Sequence, residues 1–457
     1  MVRQSRLKSF FKTTPTKYIL ISFAAIILVG AFLLCLPISN TDGKWLPFID
    51  GLFISTSSVC VTGLAVFDIA IKFTLFGEIV TLLLVQIGGL GFVTIASMLF
   101  LLIGKKINYS TRMALQESLS QEHNQGVVKT VIRVVIFTFI CELVGFLMLV
   151  PSMINFAGNF WKGLYFALFL AITAFCQAGF DPFGVLTAES SSLIPFANNA
   201  FVLIPIMLLI IVSGIGFVAI FDLFKKNRNQ KRTMLHTRVV LWMTGILIFA
   251  GAGLFMFFEW NNPNTIGNMS TGNKILNAFF QSITTRSSGF ATFDQSQLTP
   301  ISQALSGGLM FIGGSPMSLA GGIKTTTLFV LLLMLFRNTD REGNIIYKNK
   351  KIKNSLISKA VKITLIATMF ILTSSTLIYV FEGGAQSLGA IIYETISAVC
   401  TVGLSFGITS TLSVASKLVL SLLMFAGRIG MLAIALAFKT KEYSAEIEYV
   451  EARITVG

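Results

Sequence analysis

Four glycines, Gly63, Gly179, Gly289 and Gly403, lie 116, 110 and 114 residues apart, and each sits in a variant of one short segment. The segments read SSVCVTGLAVFD from Ser57 to Asp68, AFCQAGFDPFG from Ala174 to Gly184, TTRSSGFATFD from Thr284 to Asp294 and AVCTVGLSFG from Ala398 to Gly407. Each glycine is followed by Leu or Phe, and an aromatic residue stands ten positions before it, at Phe53, Phe169, Phe279 and Tyr393. A recurrence at so regular a period marks an internal repeat. Glycine accepts a positive φ and lets a backbone approach a ligand closely, which points to four similar non-helical loops. Gathered around one axis, the carbonyl oxygens of such loops would replace the hydration shell of a cation. The chemistry on offer is cation selection by backbone oxygens. A single glycine would more often mark a tight turn, but four in register favour the ring.

The elements that must hold these loops belong in a membrane. Hydrophobic residues make up 54% of the chain against 12% charged, and a mean hydropathy of +0.80 is too apolar for a water-exposed surface. The net charge of +15 does not indicate nucleic acid, because the basic residues cluster in short segments between apolar runs. One set of segments holds Arg3, Arg6, Lys8, Lys12 and Lys17, then Lys105, Lys106 and Arg112, then Lys225, Lys226, Arg228, Lys231 and Arg232. It continues with Arg337, Arg341, Lys348, Lys350, Lys351 and Lys353, and ends with Lys439 and Lys441. The intervening set is poor in Lys and Arg, so the positive-inside rule assigns the basic set and both termini to the cytoplasm. The N-terminal apolar run, Tyr18 to Pro37, reads as a retained helix.

Each repeat reads as apolar helix, short helix, glycine loop, apolar helix. In the first, Tyr18–Leu36 is long enough to span, Pro47–Ser58 is too short and must re-enter, and Leu75–Ile103 returns. The second comprises Val127–Val150, Trp161–Phe175 and Asn198–Phe224; the third begins near Thr237, re-enters over Asn273–Thr285 and leaves over Ser302–Phe336. The fourth uses Leu356–Phe381, Gln386–Val399 and Ser413–Phe438. An all-α polytopic membrane fold of eight spanning and four re-entrant helices is expected, with units at 1–104, 105–225, 226–337 and 338–457. Two crossings per unit give the units one orientation, and parallel repeats close around an axis along the membrane normal. Re-entrant helices pointing inward would present the negative ends of their dipoles, which favours a cation.

Two departures from the repeat stand out. The last span of the third unit contains GGSPMSLAGGIKTTT, Gly313 to Thr327, whose glycines and Pro316 oppose helix and predict an unwound stretch. Such backbone needs polar partners, which a water-filled pore supplies, so the segment reads as a gate beneath the ring. Arg428, in the last apolar helix, is a charge at membrane depth and reads as a barrier to cations. A weaker shared signal is Gly89-Leu90-Gly91-Phe92, Gly214-Ile215-Gly216-Phe217 and Arg428-Ile429-Gly430-Met431, where small residues let helices approach or bend.

In the four glycine loops, the interrupted AGGIKTTT helix and the arginine of the last helix, the chain resembles the Trk/Ktr/HKT superfamily of potassium transporters over its whole length, and the Ktr-type membrane subunit in particular. The resemblance implies potassium uptake across a prokaryotic cell membrane through four M1-P-M2 units around one pore, similar in plan to a K⁺ channel. By position, it implies a filter formed by Val61-Thr62-Gly63, Gln177-Ala178-Gly179, Ser287-Ser288-Gly289 and Thr401-Val402-Gly403. It assigns the gate to Gly313, Gly314, Ser315, Pro316, Met317, Ser318, Leu319, Ala320, Gly321, Gly322 and Lys324, with Arg428 beneath the filter. Met317 and Leu319 are bulkier than the small residues usual in the family. The implied partners are a second copy of the chain, membrane lipids and a cytosolic ring of nucleotide-binding subunits through which ATP or ADP acts. No covalently bound cofactor is implied, and Na⁺ dependence stays open.

No enzymatic constellation competes. The histidines, His123 and His236, lie near ends of spans, and Glu78, Glu142 and Asp222 are scattered. All five cysteines, Cys35, Cys60, Cys141, Cys176 and Cys400, fall in or beside apolar segments, which argues against a disulfide framework. Two other functions stay open: a less selective Na⁺/K⁺ transporter, and a non-transporting scaffold or sensor.

Overall fold

The computed structural model describes residues 15–91, 127–187, 191–224, 233–336, 345–348 and 350–430. His123 and most of the basic segments lie outside the described residues. The described residues are mostly helical. The first quarter supplies α1 (Pro15–Cys35), α2 (Phe48–Val59) and α3 (Leu75–Leu90), and the second α4 (Val127–Ala157), α5 (Phe160–Cys176), α6 (Ala200–Ile215) and α7 (Phe217–Phe224). The third gives α8 (Leu235–Glu259), α9 (Thr271–Thr284), α10 (Pro300–Phe311) and α11 (Thr325–Phe336). A β-hairpin of β1 (Ile345–Tyr347) and β2 (Lys350–Ile352) leads to α12 (Asn354–Phe381), α13 (Leu388–Val399) and α14 (Val414–Ile429).

Among the described residues three helices are long and apolar enough to cross a membrane, α4 (from Val128), α8 and α12, or four if the bent pair α6 and α7 counts as one. Their outward faces are apolar. Trp242, Ile246, Phe249 and Phe257 recur at helical spacing along α8 and are all exposed, as are Ile136, Phe139, Ile140, Leu143 and Leu147 on α4. Such stripes suit hydrocarbon rather than water.

Packing turns this list of helices into a closed assembly. The short helices α2, α5, α9 and α13 pack on the long helices that precede them, α1, α4, α8 and α12. Around the molecule α3 touches α5, α6 touches α9, α10 touches α13, and α14 returns to α2. At that last seam Lys417 of α14 pairs with Asp50 of α2 at 2.9 Å. The helices entering each seam start at side-chain caps: Thr74, Asn199, Thr299 and Ser413 accept from the backbone N–H of Gly77, Phe201, Ser302 and Ser416. Caps of this kind contribute about 1 kcal/mol each and fix where a helix begins.

Carboxylates strengthen two of these caps. Glu259, at the end of α8, accepts from Thr299 N and Oγ1 at 2.9 and 2.7 Å. Glu382, just past α12, accepts from Ser413 N, Ser413 Oγ and Ser416 Oγ at 2.9, 2.8 and 2.6 Å. A negative charge there also suits the helix dipole. Burial pushes the Glu382 carboxyl up, but hydrogen bonds from Ser416 and Ser413 outweigh it and hold the group below its ordinary 4.5. A carboxyl depressed in the folded state adds stability above its unfolded value and loses it as pH falls through the folded value. Glu382→Gln should therefore lower the thermal unfolding midpoint at pH 7, and the gap from the parent should narrow as pH falls below 4.5. A gap that stays constant on acidification would remove the carboxylate from this role.

In the first, second and fourth units the helix leaving the glycine loop ends before the limit expected from sequence, whereas the interruption expected in the third is present. The segment expected to run from Asn198 to Phe224 breaks at Gly216, and α7 leaves α6 at 93°. Gly216 has φ +91, which no right-handed helix contains. Gly91 (φ +81) ends α3, where a helix to Ile103 was expected, and Gly430 (φ +98) ends α14 short of the expected Phe438. The chain beyond each of these two glycines lies outside the described residues. Pro151 does not stop α4, which runs on to Ala157. The hairpin at 345–352, paired Ile345 to Ile352 and Tyr347 to Lys350, was not foreseen within the basic segment.

Candidate functional site

Each short helix stops just before its glycine, and in every loop the chain then takes positive φ at the same two positions. Val61, Gln177, Ser287 and Thr401, two residues before the glycines, have φ of +56, +64, +147 and +49. The glycines follow at φ +96, +63, +80 and +97. Alternating signs of φ turn successive peptide groups to one side. A left-handed conformation at a residue with a side chain costs of order 1–3 kcal/mol, so four such sites persist only because the surroundings hold them. The holding bonds recur: Val61 N, Gln177 N, Ser287 N and Thr401 N donate to the carbonyls of Ser58, Ala174, Thr284 and Ala398 at 3.1–3.2 Å. Thr62 N, Ala178 N and Val402 N reach back five residues, to Ser57 O, Thr173 O and Ser397 O.

The loops lie side by side in a closed circle. A methyl group on Gly63 would strike the carbonyl oxygen of Ala178, on Gly179 that of Ser288, on Gly289 that of Val402, and on Gly403 that of Thr62. Four glycines therefore alternate with four carbonyls, and the fourth loop meets the first. Only glycine fits where a neighbouring backbone comes this close. Near the ring, the Oγ atoms of Thr62, Ser288 and Thr401 and Oε1 of Gln177 are buried without a hydrogen-bond partner in the protein. Every donor contributed by these triads is a neutral oxygen, the set that suits a weakly hydrated alkali cation as cargo.

The stretch from Ile312 to Lys324 carries no helix and lies against this ring. Ile323 N donates to Phe311 O, and Thr325 N to Gly314 O, both at 3.0 Å, which closes the stretch on itself. Its flank is tied to the broken end of α6: Ser315 N to Gly214 O, Leu319 N to Ser213 O, and Phe217 N to Met317 O at 3.0, 3.3 and 3.1 Å. Carbonyls left open by the bend at Gly216 thus find partners. Gly321 N donates to Ser287 Oγ at 3.0 Å, and a side chain on Gly321 would strike Cys400 O and Thr401 Oγ1 of the fourth loop. Gly313, Gly314, Ser315, Leu319, Ala320 and Gly321 are buried, while Pro316, Met317, Ser318, Gly322 and Lys324 are half-buried. Met317 has φ +56, and Lys324 Nζ donates to Ala320 O at 2.5 Å. Leu319 is buried in the apolar cluster that also holds Leu203, Ile206 and Ile210 of α6, so its bulk is used in packing.

Arg428 joins three elements. Its Nη1 donates to Leu319 O at 2.6 Å and its Nη2 to Gly88 O and Gly89 O at 2.5 and 3.0 Å. A planar fork that reaches both the interrupted stretch and the carbonyl end of α3 is a geometry that arginine offers and lysine does not.

Some features escaped the sequence reading. Ser57 and Ser397, six residues before their glycines, accept from Gly63 N and Gly403 N at 3.1 and 3.0 Å, a shared spacing visible in the repeat. The third loop is one residue tighter, since Ser288 N reaches Thr284 O, four residues back. That shift puts Phe280, nine residues before Gly289, fully in the core, where Phe53, Phe169 and Tyr393 sit ten residues before theirs.

A largely helical chain with apolar outer stripes and a central ring of neutral oxygens falls in the class of membrane proteins that move cations. The sequence model of the family described as cation transport protein, TrkH, matches residues 6–449, and the chain belongs to this family. It is 35% identical to the Ktr system potassium uptake protein B of Bacillus subtilis, with all of both chains covered. To the potassium/sodium uptake protein NtpJ of Enterococcus hirae it is 33% identical over 98% of each chain. The crystal structure of the potassium transporter TrkH from Vibrio parahaemolyticus superposes with a TM-score of 0.72, covering 94% of this chain and 86% of that one at 14% identity, and so shares the fold. The protein is a multi-pass membrane member of a family of potassium and other cation uptake transporters, and not an enzyme.

Proposed function

We propose that the chain takes up potassium by channel-like permeation through the ring of Val61-Thr62-Gly63, Gln177-Ala178-Gly179, Ser287-Ser288-Gly289 and Thr401-Val402-Gly403. The observation that carries this reading is the closed alternation of glycines and carbonyls, supported by positive φ values at the same two positions of all four loops. In this reading four M1-P-M2 units, at 1–104, 105–225, 226–337 and 338–457, provide eight spans and four re-entrant helices in a cell membrane, with both termini cytoplasmic. Gly313 to Lys324 is the gate below the filter, and Arg428 adds a positive charge on the same side. A second copy of the chain and a cytosolic nucleotide-binding subunit complete the system, the latter suggested by the relatives named as parts of a Ktr system.

Proteoliposomes containing the chain should take up ⁸⁶Rb⁺ in a manner blocked by K⁺ and barely affected by equal Na⁺. Equal competition by Na⁺ would favour the less selective reading, which the relative named as a potassium/sodium uptake protein keeps in view. Absence of uptake even from a chain lacking Gly314 to Gly321 would favour a non-transporting role.

A further inference from the structure

Two exceptions to the fourfold pattern fall in the same unit. Three residues before the pivot glycine, three loops carry a cysteine, Cys60, Cys176 or Cys400, and the third carries Arg286. That unit is also the one whose following helix is interrupted, from Ile312 to Lys324. The two exceptions touch: Arg286 Nη2 donates to Gly313 O at 3.3 Å. Next to it, Ser287 Oγ accepts from Gly321 N at 3.0 Å. Neighbouring residues of one loop thus grip both ends of the interrupted stretch, and Gly313 and Gly321 are themselves in contact.

Burying a guanidinium is expensive unless something specific depends on it. Arg286 is only 8% exposed, and among the described residues the Gly313 carbonyl is its one hydrogen-bond acceptor, with Nε unpartnered. Beside it lies a cavity of about 20 Å³ whose largely apolar lining, four isoleucines among it, also includes Arg286, Gln177 and Thr244. That is room for about one water. Gln177 Oε1 and Thr244 Oγ1 are likewise buried without partners. The guanidinium therefore has a second set of acceptors within the cavity if it leaves Gly313.

We propose that Arg286, with Ser287, is a latch that ties the interrupted stretch of the third unit to the third glycine loop and holds the stretch closed. Arg286 is a positioning residue: it acts on permeation only through Gly313 and the stretch, and release swings its guanidinium toward Gln177 and Thr244. The inference rests on reading that stretch as the gate.

The test is ⁸⁶Rb⁺ uptake by the reconstituted full chain and by Arg286→Cys, Arg286→Lys, Ser287→Ala, a deletion of Gly314 to Gly321, and Arg286→Cys combined with the deletion. Losing a charge-assisted hydrogen bond from the closed state should raise uptake by Arg286→Cys roughly tenfold. Arg286→Lys should recover most of the closure, K⁺ preference over Na⁺ should be retained, and the cysteine should add nothing once the stretch is deleted. An equal effect of Arg286→Cys in the deleted chain, or a loss of K⁺ preference, would overturn the latch. Should Arg286→Cys fail to give a monodisperse protein, Ser287→Ala combined with the deletion decides by the same non-additivity. If deletion alone does not raise uptake, the gate reading fails, and the latch with it, by a result distinct from additivity.

Discussion

Gly63→Ser is expected to cut the preference for K⁺ over Na⁺ by roughly tenfold to a hundredfold, with a fall in ⁸⁶Rb⁺ uptake, because one side of the ring must open. The added Cβ is directed at the carbonyl oxygen of Ala178, and the φ of +96 suits few residues other than glycine. Either the carbonyl moves out of the ring or the first loop does, and an ion there loses a donor in both cases. Gly403→Ser should give the same loss through the carbonyl of Thr62. Gly158→Ala is the control, since its φ of +61 is also left-handed but nothing lies within 4 Å of the added methyl. It should cost about 1 kcal/mol of stability and leave selectivity unchanged. Loss of selectivity in the control and not at Gly63 would refute the assignment of the ring.

Arg428→Ala should raise uptake about tenfold through two effects that act together. It removes a positive charge from the proposed pathway, worth of order 1 kcal/mol or more to a nearby cation at an intermediate dielectric. It also releases Leu319 O from the stretch and Gly88 O and Gly89 O from the end of α3, freeing two elements that the guanidinium holds together. Arg428→Lys separates the effects, because the charge stays while a point ammonium cannot span the three carbonyls. Uptake by the lysine variant should lie between the parent and the alanine variant. An unchanged rate in Arg428→Ala would show that the residue is structural packing at a helix end.

The fourfold spacing of Gly63, Gly179, Gly289 and Gly403 was legible because a backbone requirement for glycine leaves a mark in the sequence itself. The interruption after Phe311 was legible for the same reason: glycines and Pro316 cannot sustain a helix where they stand. The helix ends at Gly91 and Gly430 and the bend at Gly216 were half visible, since the shared small residues were noted while the spans were still drawn as continuous. An isolated glycine inside an apolar run costs a helix only about 1 kcal/mol, so nothing local announces that a helix will end there. What turns it at Gly216 is tertiary: Phe217 N, Ser213 O and Gly214 O bond to the interrupted stretch about a hundred residues away. The tighter third loop and its burial of Phe280 were likewise invisible, because a register shift of one residue inside a helix changes no motif. The roles of Arg286 and Arg428 depend on which carbonyls they reach, and composition holds no record of that.

In the proposed function the backbone ring binds the ion being transported. Crystals of the chain grown in Rb⁺ would locate that ion directly by anomalous scattering. A peak is expected on the axis of the ring, coordinated by backbone oxygens contributed by all four loops and weakened when Rb⁺ is exchanged for Na⁺. A Rb⁺ peak held elsewhere by carboxylates, with none at the ring, would contradict the proposed function.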